Sequence, residues 1–138
     1  MRVLVIDDEP DVLMLCRVNL EFAGHEVIEA SNGKAGLELA RTALPDVVIL
    51  DVMLPKVDGF TVLSELAGSD ATNHIPVIML TAKTQLADRR RAWRAGCVEY
   101  LTKPFSPIEL VDLAGRAYEM SSHERFERRQ RALASLGP

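Results

Sequence analysis

The sequence predicts an α/β protein: a doubly wound, mainly parallel sheet of five strands with helices on both faces. Two observations predict it. Short apolar runs rich in β-branched residues alternate five times with stretches of helical periodicity. Runs such as Val47-Val48-Ile49-Leu50 also lack polar alternation, so they belong to strands covered on both faces.

The elements follow in order. Val3–Ile6 is the first strand, ended by Asp7-Asp8-Glu9. Pro10 suits the first turn of a helix. Val12, Leu13, Cys16, Leu20 and Ala23 then recur at three- and four-residue steps, and Gly24 supplies the stop. Glu26–Ala30 is a second, weaker strand, and Ser31 or Asn32 caps a helix running to about Thr42. Val47–Leu50 is the clearest buried strand. Residues 58–67 read as a helix with Phe60, Leu63, Leu66 and Ala67 inward. Pro76 opens a fourth strand, Val77–Leu80, residues 84–95 form a helix closed by Gly96, Val98–Leu101 is a short fifth strand, and residues 106–119 form a fifth helix. In the tail, Glu124 and Arg128, and Glu127 and Arg131, are i,i+4 acid-to-base pairs, while Phe126 and Leu133 lie seven apart. That reads as an extension of the last helix, with a coiled-coil seam as one outcome. A frayed polar tail ending at Gly137-Pro138 is the other.

Composition sets the class. The chain has 138 residues, 48% hydrophobic and 26% charged, as in a soluble globular domain. No apolar run approaches the roughly 20 residues of a membrane span, and Val3–Ile6 is too short for a secretory segment. The expectation is a cytoplasmic protein. Cys16 and Cys97 sit in no CxxC and beside no candidate base, so they read as buried apolar residues. The net charge of −4 argues against bulk nucleic-acid binding by this segment. Residues 1–115 carry a net −6 and residues 116–138 a net +2.

In an open parallel sheet the site lies outside the carboxyl ends of the strands. There the sequence places Asp7-Asp8 after strand one, Asp51 after strand three, Thr81 after strand four and Lys103-Pro104 after strand five. Two like charges 4 Å apart repel by about 4 kcal/mol at an effective dielectric near 20. A hard divalent cation offsets that repulsion, and carboxylate oxygens are the ligands Mg²⁺ prefers. Glu9 and Asp11 read as solvated acids favoured by the helix dipole.

These stretches carry a resemblance. Val5-Ile6-Asp7-Asp8-Glu9, Leu50-Asp51-Val52-Met53-Leu54-Pro55 through Asp58-Gly59, Leu80-Thr81-Ala82 and Tyr100-Leu101-Thr102-Lys103-Pro104-Phe105 resemble the receiver domain of two-component response regulators, over residues 1 to about 119. The resemblance implies a flavodoxin-like sheet of order 2-1-3-4-5. It implies a switch, with Asp51 as phosphoacceptor and Mg²⁺ (or Mn²⁺) held by Asp8, by Asp7 partly through water, by Asp51 and by the backbone carbonyl of Met53. Thr81 and Lys103 would contact the phosphoryl oxygens. Tyr100 would move inward with Thr81, and the Lys103–Pro104 peptide would be cis. Met53 and Lys83 occupy positions that tune the phosphoryl lifetime in the family.

The expected partner is a histidine kinase or phosphotransfer protein, and the expected role is signalling rather than enzymatic. Residues 120–138 would be a helical extension or linker toward an output domain, and nucleic acid would be met only through such a domain. A stand-alone phosphorelay carrier or adaptor is the alternative. An aspartyl-phosphate hydrolase of the haloacid dehalogenase type needs a second acid two residues past its nucleophile, where this chain has Met53. Finally, Arg89, Arg90, Arg91 and Arg94 crowd the helix at 84–95 beside Trp93. The face of that helix with strand 98–101 and helix 106–119 is expected to be either solvated charge or a homodimer interface using Arg90, Arg91, Trp93 and Tyr100. Arg91 would there meet Asp112 or Glu119 of a second copy.

Overall fold

A computed structural model describes residues 1–137. Strands β1 (Arg2–Ile6), β2 (Glu26–Ala30), β3 (Val47–Leu50), β4 (Val77–Thr81) and β5 (Glu99–Thr102) form one parallel sheet of order β2-β1-β3-β4-β5. The helices are α1 (Pro10–Phe22), α2 (Gly33–Ala43), α3 (Gly59–Ala67), α4 (Leu86–Ala95), α5 (Pro107–Glu119) and α6 (Ser122–Ser135). This is the flavodoxin-like arrangement that the sequence predicts.

The sheet separates two apolar cores. Alternation along β1 sends Leu4 and Ile6 to one core, with Leu37, Leu63, Leu66 and Trp93, and sends Val3 and Val5 to the other, with Cys16, Leu20 and Leu110. Each such side chain, fully buried, contributes about 1.5–3 kcal/mol. Covering on both faces is why β1, β3 and β4 carry no polar alternation, while the edge strands β2 and β5 hold Glu26, Glu29 and Glu99. Register then aligns the strand ends: Ile6 pairs with both Ala30 and Leu50, so the residues after β1 and β3 emerge side by side.

Helix starts follow local chemistry. The Asn32 side chain accepts from Ala35 N at 2.8 Å and that of Asp58 from Thr61 N at 2.9 Å. Each satisfies one orphan donor of the first turn. Ala23 and Ala67, expected inward, are exposed. Ala23 is the C-cap residue of α1 and Ala67 the last residue of α3; the neighbouring Leu20 and Leu66 take the buried side of those last turns.

The tail is helical but does not continue α5. Met120 is extended (φ −65°, ψ 132°) and Ser121 starts a new helix through a capping box. Its hydroxyl accepts from Glu124 N at 3.1 Å, and the Glu124 carboxylate accepts from Ser121 N at 3.0 Å. The helix then folds back against α4. Ala132 is buried in the core that holds Trp93, with Leu133 and Leu136 packed beside it. This apolar seat is small, on the order of 2–3 kcal/mol. The Arg128 guanidinium lies 4.8 Å above the Trp93 ring and 2.8 Å from Glu99. Phe126 is exposed, so the Phe126–Leu133 pair forms no seam within the chain. Among the described residues, no helix is long and apolar enough to cross a membrane.

Candidate functional site

The hydrogen-bond ladder runs one residue past β1 and β3. Asp7 N donates to Ala30 O and Asp51 N to Ile6 O, each at 3.0 Å, so backbone bonds fix the two aspartates on adjacent strands. Each then folds a carboxylate oxygen over its own following loop. Asp7 Oδ1 accepts from Glu9 N at 2.9 Å and Asp51 Oδ1 from Met53 N at 3.0 Å. These local side-chain-to-backbone bonds suit aspartate, whose short side chain reaches the amide two residues on. The second oxygen of each carboxylate faces the same ammonium.

That ammonium is Lys103, which follows β5. Its backbone N donates to Thr81 O at 2.8 Å, and the peptide to Pro104 is cis. Its Nζ lies 2.9 Å from Asp7 Oδ2, from Glu9 Oε1 and from Asp51 Oδ2. Burial alone pushes the Lys103 ammonium down, but its contacts with the Asp51, Asp7 and Glu9 carboxylates outweigh it and the net shift is upward. The Asp7 carboxyl is raised as well, which for an acid disfavours the charged form: burial raises it, and the bond from Glu9 N and the Lys103 ion pair only partly compensate. Glu9, which the sequence suggests is a solvated acid, therefore belongs to the site. Its position directly after Asp7-Asp8 was the available signal.

Carboxylate oxygens of Asp7, Asp8, Glu9 and Asp51 lie within 4.8 Å of one another. One lysine cannot neutralise four acids. Asp7 Oδ2 is buried and makes no hydrogen bond, since Lys103 Nζ sits close to it but off the bonding geometry. Asp7 and Asp51 form the buried floor, while Asp8 and Glu9 are exposed at the mouth. A set of hard oxygen donors with surplus negative charge and an open side suits Mg²⁺, which keeps several of its waters. Met53 presents an exposed side chain above this loop. Beside the cluster is a cleft of about 530 Å³ lined by Asp8, Met53, Asp58, Lys83, Asp88 and Arg91, among others.

Thr81, the last residue of β4, is buried. Its Oγ1 accepts from Lys83 N at 3.3 Å, and the Lys83 carbonyl accepts from the Tyr100 hydroxyl at 2.8 Å. Burial pushes the Tyr100 phenol up to about 12, so it stays a donor. Arg89 lies 5.4 Å above its ring. A chain of contacts thus links the strand-end site to β5 and α4. The arginine-rich face differs from the expected one. Tyr100 and Trp93 are buried, Arg91 stacks 4.1 Å over Phe60, and Arg90 donates to the carbonyls of Leu136 and Gly137. Helix α6 covers part of the surface that the sequence leaves open.

Comparison with known proteins agrees with this architecture. The family model described as response regulator receiver domain matches residues 3–114. The chain is 46% identical over 110 residues to the DNA-binding dual master transcriptional regulator RpaA of Synechocystis, covering 80% of this chain and 46% of that protein. It is 43% identical over 109 residues to the alkaline phosphatase synthesis transcriptional regulatory protein PhoP of Bacillus subtilis, covering 79% and 45%. The chain therefore spans about half the length of the curated relatives it matches. The crystal structure of the Vibrio cholerae chemotaxis protein CheY4 superposes with a TM-score of 0.79 at 30% identity, covering 84% of this chain and 97% of that one.

Proposed function

The chain belongs to the response regulator receiver domain family, and from that premise we propose that it is a phosphorylation-activated switch whose phosphoacceptor is Asp51. The observation that carries this reading is the geometry of Asp51. It is buried on the central strand, with one oxygen held by Met53 N and the other beside Lys103, at the floor of an acid cluster open to a cleft.

An oxygen of Asp51 attacks phosphorus in line with the leaving group. The new P–O bond forms as the P–N bond of a phosphohistidine, or the P–O bond of a small acyl phosphate, breaks and departs with its electron pair. Asp7, Asp8, Asp51 and the Met53 carbonyl, with Glu9 at the rim, would hold Mg²⁺, which would supply charge shielding for the phosphoryl oxygens. Lys103 supplies the second positive charge. Thr81 donates to a phosphoryl oxygen. The product is an acyl phosphate that water hydrolyses, so the on-state decays on its own, and the role is that of a signalling domain rather than an enzyme.

The donor is a histidine kinase or phosphotransfer protein of the cytoplasm. The relatives named as transcriptional regulators favour a DNA-directed output over a stand-alone carrier. The acidic balance of these residues assigns that contact to a region other than residues 1–138. Incubation with acetyl phosphate and Mg²⁺, followed by phosphate-affinity electrophoresis, tests the core of the reading. The wild type acquires one phosphoryl group, chelation abolishes it, and Asp51→Asn shows none. Undiminished labelling of Asp51→Asn rejects the assignment.

A further inference from the structure

Positive charge is concentrated on two neighbouring helices. Helix α4 carries four arginines against one acid, Asp88, and α6, packed beside it, carries four more against Glu124 and Glu127. The two helices are thus net +5 and the other residues net −9, within the overall −4.

The arginines divide by what they touch. Arg89 donates to the Thr84 carbonyl and lies over the Tyr100 ring, and Arg128 pairs with Glu99 above Trp93. Arg90, Arg91 and Arg94 instead line one surface depression of about 480 Å³, whose other lining residues are Ala87 and Ala95. Arg91 lays one face on the Phe60 ring at 4.1 Å, and Arg90 reaches the carbonyls of Leu136 and Gly137. Both are therefore positioned by groups that carry no formal charge. Arg91 and Arg94 are exposed, and among the described residues neither forms an ion pair with a carboxylate. Asp88 stands three residues before Arg91, but it lines the neighbouring cleft and not this depression.

Such an arrangement costs stability until an anion neutralises it. Arg90 and Arg94 are four residues apart and Arg91 and Arg94 three apart, spacings at which like charges oppose the helix. Ala87 and Ala95 leave the space between the guanidinium groups open. The guanidinium fork matches phosphate, which it binds through two parallel N–H donors. Four residues of helix rise about 6 Å, so the three positive charges converge over the reach of a short chain of linked phosphates. A long polyanion would run from this patch on to a body of net −9, which a compact one avoids.

We propose that the Arg90–Arg91–Arg94 depression of α4 is a second anion site, which binds a compact oligophosphate such as tripolyphosphate or the triphosphate of a nucleotide. The site uses neither Asp51 nor a bound cation, so it stands independently of the phosphoacceptor reading.

Calorimetric titration of the full chain in chelator tests it, with sodium tripolyphosphate as the probe. ATP and a short DNA duplex are run as separate arms at equal ionic strength. The wild type is expected to bind one tripolyphosphate saturably and to melt at a higher temperature with it. Arg91→Gln and Arg94→Gln should each weaken binding roughly tenfold, as loss of a charge-assisted pair does. Arg131→Gln removes the same charge from an exposed position on α6 and should bind as the wild type does, as should Asp51→Asn. ATP matching tripolyphosphate places nucleotides among the ligands, and ATP failing to bind confines them to inorganic chains; both support the site. No saturable binding of tripolyphosphate would overturn the proposal. So would equal losses in Arg94→Gln and Arg131→Gln, which would mean diffuse attraction without a site. Duplex DNA binding more tightly than tripolyphosphate would overturn the compact ligand in favour of nucleic acid.

Discussion

Lys103 is the residue on which the resting site depends. Its ammonium touches Asp7, Glu9 and Asp51, and its side chain is 12% exposed. Without it, three acids face one another with no positive neighbour, and uncompensated buried charge costs several kcal/mol. Lys103→Ala is therefore expected to lose about 3 kcal/mol of stability in chelator. Saturating Mg²⁺ should restore most of that loss, because the cation takes over the same carboxylates. Mg²⁺ affinity itself should not fall, since no ligand has been removed. Urea unfolding with and without Mg²⁺ reads both effects. A loss of equal size in the two conditions would mean that the lysine holds the fold by packing rather than by charge. The sequence exposes Asp7, Asp8, Asp51, Thr81 and Lys103 because each follows or ends an apolar run. It hides the part of Glu9, whose neighbours offer a sufficient bland reason for an acid at a helix start. Only the approach of Lys103 across the sheet distinguishes it.

At the scale of elements, the site is placed by close packing of a loop on a helix. A Cβ added to Gly59 at the start of α3 would stand 2.1 Å from the Asp51 carbonyl oxygen and 2.6 Å from Val52 Cα. Both are backbone atoms and cannot swing away. Gly59→Ala should push the β3–α3 loop outward, cost roughly 2–3 kcal/mol, and slow phosphorylation of Asp51 as its anchor at Met53 N moves. Gly115→Ala in α5, where nothing lies within 4 Å, is the matched control and should gain up to about 1 kcal/mol. Thermal melts with a timed acetyl phosphate assay compare the two; equal behaviour would show that the loop does not need the close approach. Element types are legible because continuous apolar runs and 3.6-residue periods differ sharply here. The helix break at Met120 is less so. Ser121-x-x-Glu124 is a capping signature, but it sits among acid-to-base pairs whose period also fits a longer helix. Where α6 then goes depends on Trp93, Glu99 and His74, which are distant in sequence and become neighbours only in the fold.

For the whole molecule, the sheet order brings the ends of β1, β3, β4 and β5 to one edge, and β4 and β5 lead from that edge to the α4 side. The acid cluster and the seat of α6 on α4 thus belong to one connected body. The order of the strands follows from the family resemblance, whereas strand alternation alone leaves several orders open. The covering of Trp93 is not legible at all, because exposure of a helix face depends on what packs over it. The central claim is that Asp51, and no other acid of the cluster, takes the phosphoryl group. Its most direct test is borohydride reduction of protein treated with acetyl phosphate and Mg²⁺, followed by peptide sequencing by mass spectrometry, since reduction converts an aspartyl phosphate to homoserine. The account predicts homoserine at position 51 alone; homoserine at position 7 or 8 with Asp51 intact would contradict it.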